Sequence, residues 1–178
     1  MKDKRIVLFD TLIKNREEPA LECSTEEIVA ILGHELGHWQ LNHTVKGFLV
    51  QNLLILLGLK GFSMFLHDSD MYSSFGFTDH AVVIGLNLFS HIMSPLGSVL
   101  GFCLNATTRK FEFEADAFAV DLGKGSELKA GLLKISISNL ASFDVDPLFH
   151  MFHHSHPTIL ERLRTMDARM SAIDKRSN

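Results

Sequence analysis

The sequence predicts a mainly α-helical fold in which two membrane-spanning helices stand between two further helices that share one site. Three observations predict it. Residues 25–39 carry a helix cap and an apolar stripe at helical spacing, residues 45–66 and 81–108 are long and nearly free of charge, and residues 111–122 form an amphipathic segment with paired carboxylates.

The chain has 178 residues, enough for a single domain over 1–178 with a real core. Its 46% hydrophobic content and mean hydropathy of +0.14 are high for a soluble protein. A net charge of −4 without a basic stripe argues against a nucleic-acid partner. Cys23 and Cys103, the two cysteines, give neither a disulfide framework nor a paired-cysteine metal motif. A reducing, cytosol-facing environment is compatible with that usage. The first apolar residues after the basic start are interrupted by Asp10, which is not a signal-peptide pattern.

Taken in order, residues 5–12 are short, β-branched and apolar, and predict a strand or hairpin element. Residues 14–22 are charged, contain Pro19, and read as a loop. Ser24-Thr25-Glu26-Glu27 is a capping-box pattern that opens the first helix, and Ile28, Ile31, Leu32 and Leu36 supply its apolar stripe. On that helix lies His34-Glu35-Leu36-Gly37-His38, a match to H-E-x-x-H. Residues i and i+4 share a helix face, so His34 and His38 can hold one Zn²⁺ while Glu35 serves as general base toward an activated water. Gly33 and Gly37 each cost roughly 1 kcal/mol of helix propensity against Ala. Their missing side chains would let a metal, a substrate or a neighbouring helix come close. The helix is expected to continue past Trp39 toward His43. That histidine lies about 500° round from His38, off the ligand face, and reads as a surface or supporting histidine.

Residues 45–66 contain only Lys46 and Lys60 as charges, and residues 81–108 contain none. A bilayer core needs about 20 apolar helical residues, so both are candidate spans. Pro95 is expected to kink the second or divide it in two. The connection at 67–80 carries Asp68, Asp70 and Asp79 but no Lys or Arg, whereas Lys46 and Arg109-Lys110 sit at the opposite ends. Positive charge collects on the cytosolic side, which places the H-E-x-x-H segment and everything after residue 108 there.

Two histidines leave tetrahedral zinc one protein ligand short. In the helix expected from 111 to 122, Phe111, Ala115, Phe118 and Leu122 form one side, and Glu112 and Asp116 share a face beside it at i and i+4. Glu114 points about 200° away. Glu112 is therefore the expected third ligand, and Asp116 the acid that orients a ligand histidine. Gly123-Lys124-Gly125 should stop the helix. Ser126 should cap another that ends near Leu140, with Leu128, Leu132, Leu133 and Leu140 in the core. Residues 144–147 read as a turn. His150, His153, His154 and His156 form a cluster compatible with a secondary metal site or with unremarkable loop histidines. Residues 159–170 read as an amphipathic helix on which Arg162 could pair with a carboxylate or with a substrate carboxyl-terminus, and the tail from 174 to 178 should fray.

With these segments in view, the chain resembles the type I CaaX prenyl proteases, integral-membrane zinc endopeptidases of the endoplasmic reticulum. The matching stretches are Lys4-Arg-Ile-Val-Leu-Phe-Asp-Thr-Leu12, His34-Glu-Leu-Gly-His-Trp39, Phe75-Gly-Phe77, Arg109-Lys-Phe-Glu-Phe-Glu-Ala-Asp-Ala-Phe-Ala119 and His153-His-Ser-His-Pro-Thr-Ile-Leu-Glu-Arg-Leu163. They fall in the family's order and cover nearly the whole chain. The resemblance implies one zinc held by His34, His38 and Glu112, with Glu35 as general base and His156 and Arg162 lining the site for the oxyanion or substrate. It implies prenylated CaaX proteins or peptides as substrates, from which the last three residues are removed. The implied location is the endoplasmic reticulum membrane, multi-pass, with the bilayer as partner. Family members carry several more spans ahead of the matching region, so the chain is expected to be their C-terminal catalytic part, whether a fragment, a truncated gene model or a shortened paralogue. Two rivals share the same residues. One is a membrane quality-control zinc protease. The other is a non-catalytic, metal-stabilised membrane subunit, against which an intact Glu35 argues because structural zinc needs no general base.

Overall fold

Helix formation starts where the sequence places its cap. In the computed structural model, which describes residues 19–143 and 145–177, a short 3₁₀ turn over Pro19–Leu21 leads to helix α1, Thr25–Gln40. The Ser24 hydroxyl accepts the Glu27 N–H at 3.2 Å, and the Glu27 carboxylate accepts the Ser24 N–H at 2.8 Å, so two otherwise orphaned donors are satisfied reciprocally. Lys134 adds a 2.7 Å ion pair to the same carboxylate. Burial alone would raise the Glu27 carboxyl pKa, but the hydrogen bonds from Lys134 and Ser24 hold it below the ordinary value. The expected strand at 5–12 lies outside the described residues, among which no strand occurs.

α1 does not continue toward His43. Asn42 adopts a left-handed conformation (φ 55°), which Asn tolerates better than most residues, and a new helix, α2, spans His43–Phe65. His43 opens α2 and is buried, not at the surface. Asp68 then caps the short α3, Ser69–Ser74, by accepting the Asp70 and Met71 N–H groups. Helix α4, Val82–Asp121, is 40 residues long. Of the kink or division expected at Pro95, the division does not occur, and the helix expected over 111–122 is continuous with the apolar stretch. A mid-helix proline forfeits one hydrogen bond, but breaking the helix in an apolar stretch would expose several unpaired polar groups.

Gly123 (φ 74°) stops α4. Its N–H bonds to the Val120 carbonyl and the Lys124 N–H to the Ala119 carbonyl, which is the Schellman pattern. α5 covers Gly125–Ser138 and starts before Ser126, with Lys124 rather than Ser126 in the cap position. Leu128 is fully buried and Leu132 packs on the core, but Leu133 is exposed and Leu140, past the helix end at φ 51°, is 91% exposed. The expected turn near 147 leads directly into a short helix, α6, Pro147–His153, with Asp146 accepting the Phe149 N–H and proline in the first turn. Finally α7 spans Ile159–Ser177, so the expected fraying of the tail is replaced by helix to Ser177.

These elements fall into two compact units. The unit of residues 42–104 holds α2, α3 and the first part of α4. α2 has 23 residues, about 34 Å at 1.5 Å per residue, against a bilayer core of about 30 Å. Both α2 and α4 are long and apolar enough to cross a membrane, and their apolar windows lie almost wholly outside the unit's own core. That core is small: Met71, Tyr72 and Leu88, flanked by Phe65 and Ile84, with Phe89 packed over Phe62 and Phe65.

The unit containing α1 and the chain from residue 105 onward has a larger core of Cys23, Ala30, Ile31, Ala119, Val120, Leu128 and Met166. In α4 the buried face is Glu112, Ala115, Asp116, Ala119 and Val120, one position round from the Phe111–Leu122 stripe expected, and Leu122 is exposed. The small alanines make room for α1. A Cβ built on Gly37 would lie 3.0 Å from Ala115 Cα and from Phe118 Cβ, whereas one on Gly33 would sit at an ordinary 3.7 Å from Ala119 Cβ. Gly37 therefore lets the two helix backbones touch where the histidines of one face the acids of the other.

Candidate metal centre

The close contact of α1 with α4 brings three donors together. His34 Nε2 and His38 Nε2 are 3.1 Å apart, His34 Nε2 lies 3.6 Å from Glu112 Oε2 and His38 Nε2 3.6 Å from Glu112 Oε1. One donor atom from each residue lies within 4.8 Å of the others, close to the roughly 3.3 Å between ligands of a tetrahedral zinc, and two imidazoles with one carboxylate are the right chemistry. The residues present thus fit a zinc ion with an open position for water or substrate. His34 and Glu112 are buried and His38 is half-buried.

His34 Nδ1 lies 2.9 Å from Asp116 Oδ1, which leaves Nε2 free to face the metal position. Asp116 is 1% exposed and is gripped from its other side by Arg162, whose Nε and Nη2 donate at 2.8 and 2.6 Å. Arg162 Nη1 also lies 3.5 Å from Glu112. Burial works against a charged guanidinium, but the hydrogen-bonded Asp116, with Glu112 and Glu35 nearby, holds the Arg162 pKa above its usual value. Of the two partners the sequence allowed for Arg162, the structure shows the carboxylate. Glu35 is half-buried on α1, between the two histidines in sequence. Glu114 faces away and pairs with Lys110 at 3.7 Å.

The four late histidines separate. His156, with a side chain 67% exposed, brings Nδ1 to 3.3 Å from Glu112 Oε1. His150 instead takes Arg109 Nη1 at 2.9 Å and stacks on His154, and His153 packs on Phe149 and Phe152. Burial, then the neighbouring His154 and Arg109, hold the His150 pKa below its ordinary value. Every residue expected at the site except Glu35 therefore has a polar contact with another of them: His34, His38, Glu112, Asp116, His156 and Arg162.

Two residues escaped the sequence reading. Asn105 donates to the Phe152 carbonyl at 2.7 Å. Arg109, buried, donates to the His156 carbonyl at 3.0 Å and to both oxygens of Glu161 at 2.7 and 2.9 Å. The available signal was spacing: 105, 109, 112 and 116 repeat at four, three and four residues, one face of one helix.

Comparison with known proteins agrees with this geometry. The profile of peptidase family M48 matches residues 1–170. The chain is 46% identical over 167 residues to a protein named CAAX prenyl protease 1 homolog from Oryza sativa subsp. japonica, covering 93% of this chain and 38% of that one. It is 40% identical to the CAAX prenyl protease 1 homolog of Homo sapiens, over 93% of this chain and 42% of that one. The crystal structure of S. mikatae Ste24p superposes with a TM-score of 0.76 at 38% identity, covering 92% of this chain and 39% of that one. The chain thus spans about two fifths of the length of these relatives. With a profile match across nearly its whole length, and a His₂Glu donor set at the point where α1 meets α4, the chain belongs to peptidase family M48.

Proposed function

We propose that the chain is the zinc-binding catalytic part of a membrane endopeptidase that removes the C-terminal tripeptide from prenylated CaaX proteins. The observation that carries the peptidase reading is the triangle of His34, His38 and Glu112 with Glu35 on the same helix as the two histidines. The names of the relatives support the CaaX substrate class. When bound, zinc would supply a Lewis acid for the scissile carbonyl and lower the pKa of a water toward about 7. Glu35 takes the proton of the attacking water on a carboxylate oxygen and returns it to the leaving amine. Asp116 fixes the His34 ring through Nδ1, and Arg162 holds Asp116 in place. His156 and Arg162 stand beside Glu112 on the substrate side, where an imidazole N–H or guanidinium N–H can meet an oxyanion or a substrate carboxylate.

The two apolar helices are bilayer spans in this reading, in a multi-pass protein of the endoplasmic reticulum. The charge distribution supports a cytosolic site: Asp68, Asp70 and Asp79 on the connecting segment, Lys46, Arg109 and Lys110 at the other ends.

The test is zinc stoichiometry on detergent-purified protein together with cleavage of a CaaX peptide, prenylated and unprenylated. One zinc per chain and cleavage of the prenylated peptide alone are expected, and Glu35→Gln should keep the zinc and abolish cleavage. A folded protein without zinc overturns the metal assignment, and equal cleavage of the unprenylated peptide overturns the substrate class.

A further inference from the structure

The stripe 105, 109, 112 and 116 on α4 does two jobs. Its C-terminal half, Glu112 and Asp116, faces the histidines of α1. Its N-terminal half faces the backbone of the chain between α6 and α7. That chain needs partners. Phe152 lies in the last turn of α6, and at His154 the backbone is extended (φ −121°, ψ 132°). Asn105 takes the Phe152 carbonyl at 2.7 Å and Arg109 the His156 carbonyl at 3.0 Å. Arg109 simultaneously holds Glu161, which itself accepts the Thr158 N–H at 2.7 Å and so closes the first turn of α7. The guanidinium therefore binds the segment on both sides of Pro157: at His156, and at Glu161, the residue before Arg162.

We propose that Asn105 and Arg109 are positioning residues that set the His156 imidazole against the metal site, by fixing the backbone of residues 152–156 to the helix that carries Glu112. The physical basis is a common reference. Arg109 and Glu112 are three residues apart on a rigid helix, about 4.5 Å along its axis, so a carbonyl held at Arg109 puts its own side chain within reach of Glu112. The observed 3.3 Å from His156 Nδ1 to Glu112 Oε1 is that result. The His156 side chain is 67% exposed, so the backbone anchors carry much of what sets its ring. This inference rests on the zinc-peptidase reading for the part His156 plays in turnover, but not for the anchoring itself.

The experiment uses the intact zinc-loaded protein and the variants Arg109→Met and Asn105→Ala. The second is milder and keeps the test alive where the first does not fold. Both should retain one zinc per chain, because His34, His38 and Glu112 are untouched. Carbethoxylation of His156, followed by peptide mass spectrometry, should change in rate about fivefold, since a ring no longer held 3.3 Å from Glu112 loses about one net hydrogen bond. In turnover, kcat should fall about 10- to 100-fold, as for a displaced catalytic group, with KM little changed. In a His156→Ala background, the same substitutions should cost nothing further, since a residue that acts through His156 has nothing left to position. A kcat loss of equal size in that background assigns Arg109 a general structural role and overturns the proposal. So does unchanged His156 reactivity in both variants. Absence of cleavage by the unmodified protein would instead sink the peptidase reading, and the reactivity comparison would still decide the anchoring.

Discussion

Asp116 receives one hydrogen bond from His34 and two from Arg162 while almost completely buried, so its charge and both oxygens are committed. Asp116→Asn keeps the volume but replaces one acceptor oxygen by a donor and removes the charge that Arg162 needs. Supporting residues of this kind typically change metal affinity by about 10- to 100-fold, and that is the loss expected in a chelator-competition titration of zinc. Glu112 and Glu114 make a sharper pair. Glu112→Ala should lower the zinc content of the purified protein, whereas Glu114→Ala, which removes a pair with an exposed Lys110 and lies away from the candidate ligands, should leave it at one per chain. The reverse result would move the ligand. The candidate ligands were legible because zinc constrains residue type and the helix constrains spacing. Arg109 was not, because its partners are an imidazole, a carbonyl and a carboxylate far away in sequence, and any residue could have supplied the carbonyl.

At the scale of elements, the contact between α1 and α4 depends on the two glycines unequally. Gly37→Ala places a methyl group 3.0 Å from the Ala115 backbone, which cannot yield cheaply, and should destabilise the protein by about 1–3 kcal/mol. Gly33→Ala meets only ordinary contact at 3.7 Å and gains helix propensity, so it should be neutral or stabilising by up to about 1 kcal/mol. Denaturant unfolding in detergent, followed by circular dichroism, separates the two, and a Gly37→Ala protein as stable as the parent would refute the close-approach account. Local signals marked some element ends well: Ser24 and Glu27 at the start of α1, Gly123 at the end of α4. They did not show that α4 runs undivided through Pro95 and Arg109. In an apolar stretch the cost of unpaired backbone exceeds the cost of one proline, and the charged Arg109 is buried against partners that only the folded chain supplies.

For the molecule as a whole, a metal held by His34, His38 and Glu112 would join helices distant in sequence, so its removal should be felt globally. Zinc at a free concentration of 100 Kd adds about 2.7 kcal/mol to stability, and dialysis against a chelator should lower the Tm measured in detergent, with recovery on adding zinc back. Acid should act through the ion pair that ties α4 to α7. Burial would raise the Glu161 carboxyl pKa, but its bonds from Thr158 and Arg109 hold it below its ordinary 4.5. A carboxylate depressed in the folded state contributes stability that is present above its unfolded pKa and lost as pH falls through its folded one. The stability difference between the parent and Glu161→Gln should therefore be constant above about pH 4.5 and shrink below it. A difference that grows in acid would contradict this pairing.

By itself the sequence determined the helical class and the two apolar helices, and it named His34, His38 and Glu112 as candidate ligands that the fold brings together, because periodicity and residue chemistry are local and survive without a fold. Tertiary structure alone decided which acid Arg162 grips, which of four histidines reaches Glu112, and how Asn105 and Arg109 hold the chain that brings it there. Those choices depend on the docking of α4 against α1 and the final segments, and on backbone groups that every residue carries alike and no sequence pattern distinguishes.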